Sequence, residues 1–184
     1  MAIGDPVRFD LATGEVKTGT GERLLLIPLS TLDELVTTAG VETASRVARG
    51  LGVSIGRRLG AKLGSIDGVR GASLETFVSE LAFEVAVSGW GTVSLERWGK
   101  AMVLVVDHAP VKELRLVAAL VEGAIEAAVG REVHGVALGG EGAVRVLLAS
   151  EKTAERARAW TAEGVAAGEV IARLHVPPAT GAGA

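Results

Sequence analysis

The stretch Val41-Glu42-Thr43-Ala44-Ser45-Arg46-Val47-Ala48-Arg49-Gly50-Leu51-Gly52-Val53-Ser54-Ile55-Gly56-Arg57-Arg58-Leu59-Gly60-Ala61-Lys62-Leu63-Gly64 puts a small residue at every fourth position: Ala44, Ala48, Gly52, Gly56, Gly60 and Gly64. On a helix that spacing makes a ridge about 30 Å long with almost no side chain, along which a second backbone can pack closely. Glycine inside a helix is unfavourable by about 0.8–1 kcal/mol relative to alanine, so Gly50, Gly52, Gly56 and Gly60 together cost roughly 3–4 kcal/mol. A domain is stable by only about 5–15 kcal/mol, so close packing must offset that loss. Beside the small row runs a large one, Val47, Leu51, Ile55, Leu59 and Leu63. A third row, Glu42, Arg46, Gly50, Ser54, Arg58 and Lys62, is polar and largely basic. Such rows drift around the helix, so the partner must cross obliquely, near -50° in ridge-into-groove packing. The spacing is not that of a coiled-coil seam.

Outward from this helix, residues 7–17 alternate like two short strands about the Thr13-Gly14 turn, and Arg23-Leu24-Leu25-Leu26-Ile27-Pro28 reads as a buried strand. A short helix from Ser30 or Thr31 to Thr38 precedes the ridge helix of 41–64. Ser73 is an N-cap for a helix carrying Leu74, Phe77, Val78, Leu81, Ala82 and Val85, which stops at Gly89-Trp90-Gly91. Thr92–Trp98 and Ala101–Asp107 form a hairpin; Val111–Val129 is a long helix closed by Gly130. Glu132–Leu138 and Ala143–Ala149 form a second hairpin across Gly139-Gly140-Glu141-Gly142, and Ser150 caps a helix over 151–163. Residues 168–176 extend that helix or form a last strand; from Pro177 to 184 a disordered tail is expected. Strands in adjacent pairs exclude a regular parallel α/β sheet, so the fold class is α+β: long helices packed on an antiparallel sheet built from hairpins, in a single domain of residues 1–176.

In these features the chain resembles the small-molecule-binding domain named after 4-vinyl reductase, which shares its fold with the core subunits of the TRAPP vesicle-tethering complex. The resemblance covers residues 8 to 165. It rests on Thr13-Gly14-Glu15 leading to Arg23–Pro28, the helix with Gly52, Gly56 and Gly60, the Gly89-Trp90-Gly91 stop and the Gly-rich last hairpin. It implies a dimeric sensor or scaffold that holds an apolar ligand between helices and sheet, as in domains at the front of aromatic-responsive transcription activators. Many family members carry cysteines on the last hairpin, near Val136 and Val144 here; these valines read as core, so the metal or thiol function of such cysteines is not expected.

Composition bounds the chemistry. The chain has no cysteine, which excludes disulfides, thiolate catalysis, zinc knuckles and iron–sulfur clusters. A net charge of -3 argues against a general nucleic-acid binder. No apolar run reaches the ~18 residues of a membrane span and Met1–Pro6 is no signal peptide, so a cytoplasmic protein is expected. His108, His134 and His175 are scattered, without His-Glu-x-x-His spacing, and no metal or cofactor is expected. Asp107-His108 resembles a base pair at a strand end, but no Gly-x-Ser-x-Gly nucleophile accompanies it, and no enzyme or catalytic residue is assigned. Gly139-Gly140-Glu141-Gly142 lies between strands and the glycines of 50–60 lie inside a helix, so neither is a nucleotide loop.

Two readings of function stand. The first is a noncatalytic ligand-binding or regulatory domain that dimerises. Its apolar ligand would lie among Phe77, Leu81, Trp90 and Trp98, with His108 or Arg57 as a polar contact. The bland reading of both tryptophans is that they close the core. The dimer interface would be Gly52, Gly56, Gly60 and Gly64, although the crossing helix can equally belong to the same chain. The basic row Arg46, Arg58 and Lys62 reads as a solvated face, or as a contact for an acidic partner or an anionic head group. The second reading is a TRAPP-like structural adaptor, without a small ligand, whose helical face docks a protein partner.

Overall fold

The computed structural model describes residues 6–139 and 142–175. Three strands, β1 (Val7–Asp10), β2 (Glu15–Thr18) and β3 (Arg23–Leu24), form a small antiparallel sheet in chain order. Helices α1 (Leu29–Lys62), α2 (Ile66–Gly71) and α3 (Leu74–Val87) follow, then strands β4 (Thr92–Trp98) and β5 (Ala101–Asp107) and helix α4 (Leu114–Val129). Strands β6 (His134–Gly139) and β7 (Ala143–Ala149) precede helices α5 (Glu151–Ala162) and α6 (Ala167–His175). The larger sheet is antiparallel throughout, in the order β4-β5-β7-β6, so the second hairpin adds through β7 and leaves β6 at the edge. The molecule is α+β, as the paired strands require.

The ridge segment is decisive. Helix α1 is broken at Gly40 (φ 79°, ψ 159°), a conformation open to glycine, so a first helix of ten or so residues and the ridge helix form one interrupted element. Helix α4 of the same chain lies on the ridge. A Cβ on Gly52 would overlap the carbonyl oxygen of Leu120, and one on Gly56 that of Ala124. The contact is reciprocal, because a Cβ on Gly123 of α4 would overlap the carbonyl oxygen of Arg49. Ala44 and Ala48 are buried in the same core. Gly52 and Gly56, expected at a dimer interface, are covered by α4 of the same chain. Around Gly60 a Cβ would meet open space, and Gly64 lies beyond the helix end with φ +89°.

The larger sheet is packed on both faces. On one, Leu104 and Val106 of β5 and Val144 and Val146 of β7 meet α1, α3 and α4 through Ile55, Leu59, Leu81, Val85, Val117, Val121 and Ala124. On the other, Val103, Val136 and Leu147 meet Ala154, Ala157, Val170 and Ile171 of α5 and α6. Val136 and Val144 are therefore core, as read from the sequence, but on opposite faces. Residues 168–175 belong to a separate helix, the alternative not foreseen; α2 was also not foreseen. The proposed tail from Pro177 to 184 and the central Gly140-Glu141 of the hairpin turn lie outside the described residues.

The expected buried strand Arg23–Pro28 is corrected. Only Arg23 and Leu24 pair, and Leu25, Leu26 and Ile27 are 84%, 63% and 49% exposed. The basic row is corrected at Arg58, while Arg46 is exposed as a solvated face would be. Arg58 is 7% exposed and donates through Nε to Oε2 of Glu84 at 2.6 Å, Glu84 being 3% exposed. Its other donors reach Glu22 Oε2 at 2.6 Å and Ser88 Oγ at 2.8 Å. Lys62 Nζ lies 2.7 Å from the second Glu84 oxygen and 3.8 Å from the centre of the Phe83 ring. A buried charge must be paired, and here one arginine joins α1, α3 and the β2–β3 loop. Glu22, which also meets the Ser54 hydroxyl, is drawn below its ordinary carboxylate range. Its partial burial acts the other way, and the Ser54 and Arg58 hydrogen bonds prevail over it.

Two outcomes follow for stability. Gly56→Leu is expected to lower unfolding free energy by about 3 kcal/mol or prevent folding, because the Ala124 backbone cannot yield; Gly50→Ala, with open space at its Cβ, should stabilise by about 0.5–1 kcal/mol. Urea titration of both variants checks this, and equal effects would remove the close crossing as the cause. Glu22 has a depressed folded-state pKa, so its contribution is present above the ordinary value of 4.5 and fades as pH falls through the folded value. Acid melting curves of Glu22→Gln should accordingly fall less steeply below that pH than those of the parent.

Candidate functional site

Beside the α1–α4 crossing, where both helices pass the edge strand β6, small side chains leave a cleft of about 740 Å³. Its floor is Ala118, Ala119, Gly135, Val136 and Ala137. Its walls carry Glu42, Ser45, Arg46 and Arg49 from α1, Arg115 and Glu122 from α4, and Arg158, Thr161 and Ala162 from α5. Gly135 is required there: a Cβ would come within 2.7 Å of the Ala118 carbonyl oxygen. Because β6 is so close to α4, the floor of the cleft is mostly backbone and alanine, and the charged side chains stand around it.

Glu122 organises the polar groups. Its Oε2 accepts the Gly135 amide at 2.9 Å, and its Oε1 accepts Arg49 Nε at 3.3 Å. Arg49 also donates to Glu126 Oε2 at 2.5 Å, and these two acceptors raise its pKa against the opposing effect of burial. Arg158 Nη2 donates to the Gly135 carbonyl at 3.2 Å and stands 3.8 Å from Glu122. The outward amide and carbonyl of Gly135 are thus both engaged by side chains. Arg115 grips Glu113 with two bonds of 2.9 and 3.2 Å, which lower the Glu113 pKa and raise that of Arg115. Arg46 is exposed and, among the described residues, makes one side-chain bond, to Thr43 Oγ1 at 3.3 Å.

The six residues expected around an apolar ligand do not converge. Leu81 and Trp90 are buried in the core beneath α1 and α4, with Phe77 packed against it. Trp98 is on the other face of the sheet, packed with the α5 and α6 cluster, its indole donating to Glu96 Oε2 at 2.8 Å. Arg145, which bonds Glu96, lies 5.9 Å from the Trp98 ring centre. His108 is exposed at the end of β5 with φ 57°, and Arg57 lines a separate shallow groove with Glu126, Arg131 and Glu132. None of the six lines the large cleft. The reason is the alternation of strand side chains: Trp98 has the parity opposite to Val93 and Leu95, which face the α1 side. The cleft itself has only faint sequence signals, the adjacent Ala118-Ala119 on a helix face and Arg46 in the basic row. Among the described residues no group of three or more histidine, aspartate or glutamate side chains is placed to hold a metal, and no helix is long and apolar enough to cross a membrane.

No protein-family model matches the chain, and no curated protein does. Solved structures do. One is the crystal structure of the phenol-responsive sensory domain of the transcription activator PoxR with phenol, 17% identical, with a TM-score of 0.56 over 94% of this chain and 92% of that one. At this identity the likeness establishes the fold alone, an α+β architecture shared with that domain.

Glu122→Ala should free the Gly135 amide and release Arg49 and Arg158 together, destabilising the protein by about 1–3 kcal/mol. Hydrogen exchange at Gly135 should quicken beyond the global change. Unaltered exchange there would mean that Glu122 does not hold the strand edge.

Proposed function

We propose that this chain is a noncatalytic ligand-binding regulatory domain, a single domain acting as a homodimer in the cytoplasm, and that its small-molecule site is the cleft bounded by α1, α4, α5 and the β6 edge. The observation that carries this reading is the cleft itself. Its volume of about 740 Å³ falls inside the usual range of small-molecule sites, and convergent charged groups surround a small alanine and glycine floor. The shared fold with a phenol-responsive sensory domain supports the regulatory part. The cleft lies between helices and sheet, although at the sheet edge instead of the expected core.

Dimerisation draws its support from elsewhere than the glycine ridge. Leu25, Leu26, Ile27 and Leu29 are all substantially exposed in sequence succession, and Val47 and Leu51 of the large α1 row are 42% and 41% exposed. Such a run of solvent-facing aliphatic side chains marks an association surface. The same exposure favours the second reading, a TRAPP-like adaptor, in which that surface receives another protein and the cleft stays empty.

Titration of labelled protein with small aromatic compounds, neutral and anionic, distinguishes the readings. Binding should move the amide resonances of Gly135, Ala137 and Thr161, and a full set of compounds that moves none of them would overturn the sensor. Leu26→Glu is expected to convert a dimer into a monomer in light scattering while leaving those shifts in place. A parent protein that is already monomeric would remove the dimer from the proposal.

A further inference from the structure

The cleft holds two guanidinium groups whose N–H donors its internal pairing does not exhaust. Arg49 is committed to Glu122 and Glu126, and Arg115 to Glu113. Arg158, from α5, spends one bond on the Gly135 carbonyl and pairs loosely with Glu122 at 3.8 Å, and Arg46, from α1, spends one bond on Thr43. Most of the N–H donors of both remain, and both residues line one cavity, Arg46 from α1 and Arg158 from α5. Donors in excess over an apolar floor match a ligand with a hydrocarbon body and an anionic head.

The surrounding charges narrow the head group. The guanidiniums of Arg46, Arg49, Arg115 and Arg158 face Glu42 and Glu122 on the lining, with Glu113 and Glu126 bonded just outside it. The cluster is therefore near neutrality before anything binds, and Glu42 stands one helical turn from Arg46. One added negative charge can be accommodated by the spare donors, whereas a dianion would meet Glu42 and Glu122 with no further cation to offset it. We propose, resting on the reading of this cleft as the ligand site, that the ligand is a small carboxylate monoanion with an apolar body, its carboxylate bridging Arg46 and Arg158 and its body on Ala118, Ala119 and Ala137. Guanidinium and carboxylate meet in two parallel hydrogen bonds, which gives the head a fixed orientation.

The test compares benzoate, benzyl alcohol and phenylphosphonate by calorimetry and amide shift mapping on the intact chain. Benzoate should bind at the cleft more tightly than either other probe, and Arg46→Met should weaken it about tenfold or more without changing the melting temperature. Arg158→Met should weaken it similarly; because that variant also loses the bond to Gly135, Arg158→Lys serves beside it, keeping the charge while giving up the paired geometry. Benzyl alcohol bound at the cleft more tightly than benzoate overturns the carboxylate and leaves the sensor standing. Tighter phenylphosphonate in alkaline buffer, where it is wholly the dianion, overturns the monoanion. Benzoate affinity unchanged in both Arg46→Met and Arg158→Met overturns the bridging pair. Failure of every probe to shift the cleft resonances removes the ligand site and this inference with it.

Discussion

The fold hangs on an approach of two helices at backbone distance. At Gly52, Gly56 and Gly123 the α1 and α4 main chains meet so closely that a single methyl group would strike a carbonyl oxygen. Glycine weakens each helix by itself, so the contact must be repaid by what it permits. It permits Ile55, Leu59, Leu120 and Val121 to be buried together against β5 and β7, where each large aliphatic side chain contributes about 1.5–3 kcal/mol. A few such side chains exceed the helix penalty. Interior voids in folded proteins are few, and a larger residue at any of the three positions would open one along the whole crossing.

The cleft is a by-product of the same constraint. With α4 pressed onto α1, the flank of α4 toward β6 must also be small, and Ala118, Ala119 and Gly135 leave room where ordinary side chains would fill the space. Charged groups excluded from the tight crossing collect at its side. Arg49 offers the clearest case: its backbone carbonyl lies under Gly123 while its side chain extends to Glu122 and Glu126. One residue belongs to the helix crossing and to the site. The buried Arg58–Glu84 pair has an analogous role at the other end of α1, holding the small sheet through Glu22.

Much of the architecture was legible because its signals are local. Ser73 bonds the Thr76 amide, Gly130 closes α4 in the left-handed conformation, and the two hairpins fall where alternation and glycine put them. What was not legible depends on partners far apart in the chain. Arg58 looked solvated since its row is polar, and nothing in the row announces Glu84 or Glu22 across the fold. Leu25 to Ile27 looked buried on hydropathy alone, yet the small sheet offers them nothing to pack against. Trp90 and Trp98 flank one strand in sequence, but the pleat turns Trp98 to the opposite side from the core that holds Trp90, and a site read from scarcity of aromatics could not register that.

Edge strand β6 has a consequence for behaviour at high concentration. Open strand edges invite pairing with another molecule, and proteins guard them with charge, bulges or cover. Here the outward peptide groups of Gly135 are already occupied by a carboxylate and a guanidinium, and a bulge follows at Ala137 and Gly139. An incoming strand would have to strip a charged pair from its bonds before gaining any of its own. The β6 edge is thereby guarded at Gly135 against pairing with a second molecule.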